Sequence, residues 1–211
     1  MKIKFCGGVE RVTGSSFLLE SKNNKILVDC GLIQGADACQ RENFEPFQYN
    51  PKEIDAVLIT HSHVDHIGRL PKLVKEGFSG KILSVLPTKE LAQEILLDSI
   101  KVMREECGKE LFSRENIDGT MKLWETISYH QIFELNGLSF EFFDAGHILG
   151  SSFIKITDKN KTIIFSGDLG NSPDPLLKDT EALPETDFLI IDSTYGNRNH
   201  KDFEQRKELL E

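Results

Sequence analysis

The sequence predicts an α+β domain in which one β-sheet packs on another and helices lie outside. The chain has 211 residues, which is enough for one substantial domain. Short runs rich in β-branched and apolar residues recur along it, and few helical segments separate them. No internal repeat and no low-complexity linker divides the sequence. Together these observations favour a layered sandwich of short strands.

Eight runs have the composition of strands. They are KIKFC (2–6), SSFLLE (15–20), KILVD (25–29), DAVLIT (55–60), KILSV (81–85), SFIKI (152–156), TIIFS (162–166) and DFLIID (187–192). Asn136 and Gly137 separate QIFEL from LSFEFF, and Asn-Gly between apolar runs predicts a hairpin with a type I′ turn. The segment DKNK (158–161) predicts a second turn between strands.

Two segments have the spacing of helices. The first begins at Thr88, a predicted N-cap, and continues to residue 106. Its core-facing side is predicted to consist of Leu91, Ile95, Leu96, Ser99, Val102 and Met103. The second covers residues 113–127, where Gly119 weakens the helical pattern. The final ten residues, DFEQRKELLE, resemble the opening of a helix, so the chain is expected to be cut there.

The net charge and the apolar content of the chain restrict the kinds of partner that it can bind. Lys plus Arg is 25 and Asp plus Glu is 34, so the formal net charge of −9 gives no bulk attraction to nucleic acid or anionic membrane. A polyanion would have to be bound locally, by a metal or by residues outside this chain. No signal peptide and no apolar stretch of roughly 18 residues is present, so a cytoplasmic location and no membrane partner are predicted.

The four cysteines predict neither a disulfide framework nor a sulfur metal site. Cys6, Cys30, Cys39 and Cys107 form no CxxC pair and are widely spaced. We therefore expect reduced thiols in the core or in loops, as is usual for a cytoplasmic protein.

The segment HSHVDHIGR (61–69) contains three of the six histidines in the chain, directly after the predicted strand DAVLIT. If the backbone is extended there, His61 and His63 point the same way, because strand side chains alternate with a period of two. A turn would then bring Asp65 and His66 back toward the same point. The pattern predicts a metal site at the end of a buried strand.

Two further candidate ligands follow other predicted strands. His147 lies in DAGHILGSS after FEFFDA, and Asp168 lies in FSGDLG after TIIFS. Either residue alone would be interpreted as structural, the histidine as a satisfied polar group and the aspartate as a turn carboxylate. Their shared position at strand ends, among glycines that permit close backbone approach, favours metal binding.

The sequence resembles the metallo-β-lactamase fold, whose HxHxDH signature matches HSHVDHIG. Asp29 in LVDCG, His147 and Asp168 stand where that superfamily has its other core motifs. More of the chain resembles the β-CASP branch, which comprises RNA-processing nucleases such as ribonuclease J and the mRNA 3′-end cleavage endonuclease. The segments that carry this resemblance are GGVERVTGSSFLLE, VDCGLIQG, DAVLITHSHVDHIGRLP, AGHILGSS, FSGDLG and DSTYG.

The resemblance implies an αββα sandwich that is incomplete at its C-terminus. Residues 1–196 would form the metallo-β-lactamase core, and residues 197–211 would begin a truncated β-CASP cap or a linker. In this branch a further zinc-binding histidine comes from beyond the cap, and a histidine in the cap donates the proton to the leaving group, so the chain is expected to lack both. His200 is a poor substitute for that histidine, and His130 is predicted to be structural.

The resemblance also implies two zinc ions and the residues that would hold them. His61, His63 and His147 would bind one ion, Asp65 and His66 the second, and Asp168 both. Asp65, Asp168 and Asp192 would be the catalytic carboxylates. Asp29 and Asp192 would accept the free ring N–H of ligating histidines, although Asp29 could instead cap a turn and Asp192 could be a plain strand end.

Such a site would hydrolyse phosphodiesters in RNA through a hydroxide shared by the two ions. Mixed His/Asp ligation without cysteine suits zinc, and also manganese. One alternative is a hydrolase of small esters, thioesters or lactams from the same superfamily, which DSTYG disfavours. Another is a non-catalytic scaffold subunit, which the intact ligand set disfavours. A di-iron oxygen reductase usually has HxExD, unlike His63-Val64-Asp65 here. The sequence assigns no nucleic-acid-binding residue and no oligomeric state.

Overall fold

Two stacked β-sheets form the centre of the computed structural model, which describes residues 1–35, 39–159 and 161–197. The first sheet has the strand order β1-β2-β3-β4-β5-β6. Its strands are β1 (Lys2–Gly7), β2 (Ser16–Glu20), β3 (Lys25–Val28), β4 (Ala56–Leu58), β5 (Lys81–Ser84) and β6 (Trp124–Thr126). The second sheet comprises β7 (Phe133–Leu135), β8 (Leu138–Asp144), β9 (Ser152–Asp158), β10 (Lys161–Phe165) and β11 (Phe188–Ile190), in the order β11-β10-β9-β8-β7.

The helices of the described residues pack on the outer face of the first sheet. They are α1 (Val64–Ile67), α2 (Leu70–Lys75), α3 (Leu86–Cys107) and α4 (Arg114–Leu123), and short 3-10 turns occupy Arg41–Asn43 and Pro51–Glu53. None of the helices in the described ranges has the length and apolar character to cross a membrane. The α+β sandwich predicted from the sequence is therefore confirmed.

Strand alternation divides the core into two layers. In β3, Ile26 and Val28 face the second sheet and pack with residues such as Phe140 and Phe165. The intervening Leu27 faces the helices and packs with residues such as Leu96. A strand buried on both faces has no polar alternation, which explains why Ile26, Leu27 and Val28 form a continuous apolar run.

The first long helix differs from its prediction at the N-terminus. It begins at Leu86, with Val85 as the N-cap residue and a proline in the first turn. Thr88 is not the cap, because its hydroxyl donates to the carbonyl oxygen of Gly150, 2.6 Å away. Leu91 on the predicted core face is 37% exposed, whereas Leu96, Ser99 and Met103 are buried as expected.

The second predicted helix is shorter than its pattern suggested. Ser113 caps α4 through a reciprocal pair of hydrogen bonds with Asn116, and the helix ends at Leu123. Residues 124–126 then form β6, where Trp124 is buried and donates its indole N–H to the Ser84 hydroxyl over 2.8 Å. The local pattern missed this strand because parallel pairing with β5 decides it.

The prediction of four reduced cysteines is wrong for two of them. Cys39 and Cys107 form a disulfide between positions 68 residues apart, with their Cα atoms 5.4 Å apart. The bridge ties the segment after β3 to the end of α3, a proximity that sequence spacing does not reveal. Cys6 and Cys30 are buried free thiols, as predicted.

The Asn-Gly hairpin forms as predicted between β7 and β8. Asn136 and Gly137 have φ values of 47° and 86°, the positive values that a type I′ turn requires. The predicted C-terminal helix (202–211) and His200 lie outside the described residues, and the turn at 158–161 is described except for Asn160.

Candidate metal centre

The candidate ligands lie at one edge of the sandwich, where several strands end. Asp29 directly follows β3, and His61 follows the parallel neighbour β4 by three residues. In the second sheet β8 and β10 are both antiparallel to β9, so their carboxyl ends also lie at one edge. His147 and Asp168 each follow those ends by three residues. The topology therefore gathers residues from both sheets around one point.

Three histidines and one aspartate converge there. One ligand atom each from His61, His63, His147 and Asp168 lies within 4.8 Å of the other three. His63 Nδ1 is 3.1 Å from His61 Nε2 and 3.3 Å from His147 Nε2. Nitrogens of a tetrahedral zinc site, with bonds of about 2.0–2.1 Å, are about 3.3 Å apart. This spacing and donor set suit a zinc ion.

A second group of ligand atoms adjoins the first through Asp168. His66 Nε2 is 3.3 Å from Asp168 Oδ1 and 3.8 Å from Asp65 Oδ2. The other oxygen, Asp168 Oδ2, is 3.5 Å from His147 Nε2 and 3.7 Å from His61 Nε2. One carboxylate thus faces both groups, the arrangement required of a ligand shared by two ions.

A single helical turn and close backbone packing hold the second group. His63 precedes α1, so Asp65 and His66 turn back toward the site, as the sequence predicted. Gly31 packs directly on this turn, and a Cβ atom there would lie 1.5 Å from the Asp65 carbonyl oxygen. Gly170 makes an equally close contact with Gly146, beside His147, where a Cβ atom would lie 1.8 Å from its carbonyl oxygen. Side chains at either glycine would separate the loops that carry the ligands.

The Asp29 carboxylate organises the groups behind the site. It is 1% exposed, and its Oδ2 lies 2.7 Å from His66 Nδ1. Oδ1 accepts the backbone N–H of Thr60 over 2.9 Å, and Oδ2 accepts the Ser15 hydroxyl over 3.1 Å. The structure thus gives Asp29 contacts of the kind that orient a ligating histidine. Sequence reasoning missed Thr60 and Ser15, whose only signal is their place in the motifs around His61 and before Asp29.

Asp192 lies beside the site in different surroundings. Its backbone N–H donates to the Ser166 hydroxyl, and its Oδ1 accepts from the N–H and hydroxyl of Thr194 over 2.9 and 2.6 Å. These contacts form a turn after β11 and involve no histidine. His130 lies outside the ligand cluster, 3.2 Å from Glu181, with its ring against Phe143.

Burial and neighbouring charges move the pKa values of the ligands in opposite directions. Burial, and then the adjacent imidazoles, lowers the pKa of His61 well below its usual value. Burial also lowers the pKa of His147 and raises that of Asp65. For His66 burial favours the neutral ring, but the Asp29 and Asp168 carboxylates outweigh it and raise the pKa to about 10. Burial alone would raise the pKa of Asp168, but the hydrogen bond from His66 and the nearby histidine charges together outweigh it and lower the pKa of that carboxyl.

The metal-free chain is therefore expected to lose folding stability as the pH rises from 6.5 to about 10. Across this window His66 keeps its proton when folded and loses it when unfolded, so raising the pH favours unfolding. Burial raises the pKa of the Cys30 thiol to about 11, which adds an effect of the same sign at the alkaline end. Urea unfolding at several pH values, with a chelator present, measures the slope.

The zinc-loaded chain serves as the comparison for this slope. A metal-bound imidazole is neutral and carries no imidazolium proton to lose between pH 6.5 and about 10, so the contribution of His66 is expected to disappear on loading. A metal-free free energy of unfolding that stays level or rises between pH 7 and 9 would contradict the assignment.

The chain is similar to several known proteins. Residues 18–192 match the family model described as a metallo-beta-lactamase superfamily domain. Ribonuclease TTHA0252 of Thermus thermophilus is 37% identical, over 100% of this chain and 48% of that protein. Transcription termination factor FttA of Methanosarcina mazei is 33% identical, over 94% of this chain and 32% of that protein. Cleavage and polyadenylation specificity factor 73 of Drosophila melanogaster is 32% identical, over 98% of this chain and 30% of that protein.

The chain thus spans about half, or less, of the length of these curated relatives. They confirm the resemblance to β-CASP RNA-processing proteins. Among solved structures, a metallo-β-lactamase of Cronobacter sakazakii aligns with a TM-score of 0.52 and 22% identity, over 78% of this chain and 60% of that one. An Enterococcus faecalis protein aligns with a TM-score of 0.55 and 17% identity, over 79% of this chain and 43% of that one. These structures support the fold alone. The family model covers most of the sequence, and the chain belongs to the metallo-β-lactamase superfamily.

Proposed function

We propose that this chain is the metal-binding core of a ribonuclease that hydrolyses RNA phosphodiesters with two zinc ions. The observation that carries the proposal is the position of Asp168, whose two oxygens face two separate groups of ligand atoms. The names of the relatives, which include a ribonuclease and an RNA cleavage factor, support RNA as the substrate class.

In this proposal each ligand has a separate task. His61, His63 and His147 hold one ion, and Asp65 and His66 hold the other. Asp168 contributes one oxygen to each. Bound zinc would lower the pKa of water to about 7 and place positive charge where the scissile phosphate must sit. Because the chain carries a net charge of −9, this local charge is what attracts a polyanion.

The surface around the centre leaves room for a strand of nucleic acid. Asp168 and Asp192 line two cavities, of about 620 and 320 Å³, of which the first also contacts His66 and the second His147. Arg11 lines the larger one, 3.5 Å from Glu42, and would offer its guanidinium to a neighbouring phosphate. The Asp192 carboxylate lines both cavities, and in this proposal it would contact the substrate or a water molecule beside the reacting phosphate.

Zinc loading followed by an RNA cleavage assay tests the proposal. The purified chain is stripped of metal, loaded with zinc and desalted, and its zinc is counted by elemental analysis. We expect about two ions per chain, the second held by Asp65, His66 and Asp168 without a further histidine. We also expect slow zinc-dependent shortening of an end-labelled single-stranded RNA, because no proton donor for the leaving group is assigned in this chain. About one ion or fewer would contradict the paired site. Two ions with hydrolysis of a p-nitrophenyl ester but not of RNA would favour the small-molecule hydrolase instead.

The proposal includes a cytoplasmic location, where RNA substrates are available. The Cys39–Cys107 disulfide is unusual for that compartment, in which thiols are generally kept reduced.

A further inference from the structure

The hydroxyl of Thr60 lies between the two halves of the metal centre. Thr60 is fully buried and immediately precedes His61. Its backbone is held from both sheets: the N–H donates to Asp29 over 2.9 Å, and the carbonyl oxygen accepts the N–H of Ser152 over 2.7 Å. The side chain therefore has little freedom to move relative to the site.

Four acceptor or donor atoms surround this hydroxyl. Its oxygen is 2.9 and 3.1 Å from the two Asp29 oxygens, 3.1 Å from His61 Nδ1 and 3.2 Å from His66 Nδ1. A hydroxyl has one hydrogen to give, and an ionised carboxylate can only accept. The hydrogen therefore goes to Asp29, and the lone pairs of the oxygen remain for the imidazoles.

This assignment determines which nitrogen of His61 carries hydrogen. Since the Thr60 oxygen can only accept from the ring, His61 must donate through Nδ1. Its Nε2 is then free of hydrogen and faces His63 Nδ1 and Asp168, where an ion would bind. His66 likewise donates through Nδ1, which lies 2.7 Å from an Asp29 oxygen.

We propose that Thr60 is a positioning residue for the ion site of His61, connecting the charge of Asp29 to His61 while Asp29 itself orients His66. The inference rests on the paired metal site of the proposed function. In this arrangement one buried carboxylate sets the ring orientation of a histidine in each ligand group, directly in one case and through a hydroxyl in the other. A partner of this kind fixes the tautomer and raises the basicity of a ligating ring.

Replacing Thr60 with valine tests this role, because valine has nearly the same shape and lacks the hydroxyl. For Thr60→Val we expect about 10–100-fold weaker zinc binding, measured by competition with a chelator. We also expect loss of the His61 Nδ1–H tautomer in nitrogen-15 NMR spectra of the metal-free chain. Thr60→Ser restores the hydroxyl and is expected to recover both properties. Thr120→Val is the matched control, since Thr120 is also fully buried but bonds a helix carbonyl away from the site.

The outcomes separate this proposal from the proposed function. Unchanged zinc affinity and an unchanged tautomer in Thr60→Val would overturn the role of Thr60. If that variant does not fold, the wild-type spectrum decides, because a hydrogen on His61 Nε2 in the metal-free chain is incompatible with the assignment. Zinc binding without RNA cleavage by the wild type would contradict the proposed function and leave the Thr60 result intact.

Discussion

Replacing Asp168 with alanine is expected to reduce bound zinc from about two ions per chain to about one or fewer and to abolish metal-dependent hydrolysis. The carboxylate faces the ligand atoms of both groups, with Oδ1 3.3 Å from His66 Nε2 and Oδ2 3.5 Å from His147 Nε2. Its removal leaves His66 and Asp65 as two protein ligands, fewer than the three of a typical catalytic zinc site. Elemental analysis after zinc loading measures the change.

Two matched variants separate charge from shape at this position. Asp168→Asn keeps the size of the side chain but removes the negative charge and one acceptor, so it is expected to lose the second ion as well. Asp98→Asn makes the same chemical change on the exposed side of α3 and is expected to bind zinc as the wild type does. Retention of two ions by Asp168→Ala would contradict the bridging role.

Local sequence patterns predicted those parts of the centre whose residues lie only a few positions apart in the sequence. The two-residue interval between His61 and His63, followed by a turn to His66, needs only strand geometry and one helical turn. Asp168 and His147 were also predictable, because each follows a recognisable apolar strand. The Asn136-Gly137 hairpin belongs to the same class, since its turn type follows from two residues.

Features that depend on distant parts of the chain could not be predicted. Thr60 gains its importance from Asp29, 31 residues earlier, and from Ser152, which lies in the other sheet. The Cys39–Cys107 bridge joins residues 68 positions apart. Thr88 is a residue type that often caps helices, but its hydroxyl donates a tertiary hydrogen bond to the carbonyl oxygen of Gly150. The helix therefore begins earlier, at Leu86. In each case the deciding partner is close in space and remote in sequence.

The geometry of the metal centre therefore depends on how the two sheets are positioned relative to each other. His61 and His66 belong to the first sheet and its following turn, whereas His147 and Asp168 follow strands of the second. The hydrogen bond from Ser152 to the Thr60 carbonyl oxygen joins the sheets directly behind the ligands. A change that shifts one sheet against the other is expected to weaken metal binding without touching a ligand.

Asp29→Asn is expected to weaken zinc binding at the site of Asp65 and His66 by about 10–100-fold. It is also expected to lower the free energy of unfolding of the metal-free chain by about 1–3 kcal/mol. Asp29 has a φ of 58°, which asparagine tolerates, so the backbone is not strained. The new amide nitrogen must face a donor whichever way it turns, either His66 Nδ1 or the backbone N–H of Thr60.

The pH dependence gives this substitution a signature that a general loss of stability would not produce. The Asp29 carboxylate is the first of the groups that raise the pKa of His66 to about 10 against the effect of burial. Without that charge, the decline in stability of the metal-free chain between pH 6.5 and about 10 should become shallower. Asp55→Asn is the control, because Asp55 accepts a backbone N–H from Lys25 at the opposite end of β3. Urea unfolding across this pH range measures the change in stability, and chelator competition measures the change in zinc affinity. If Asp29→Asn has the zinc affinity and the pH dependence of the wild type, Asp29 only caps the turn after β3.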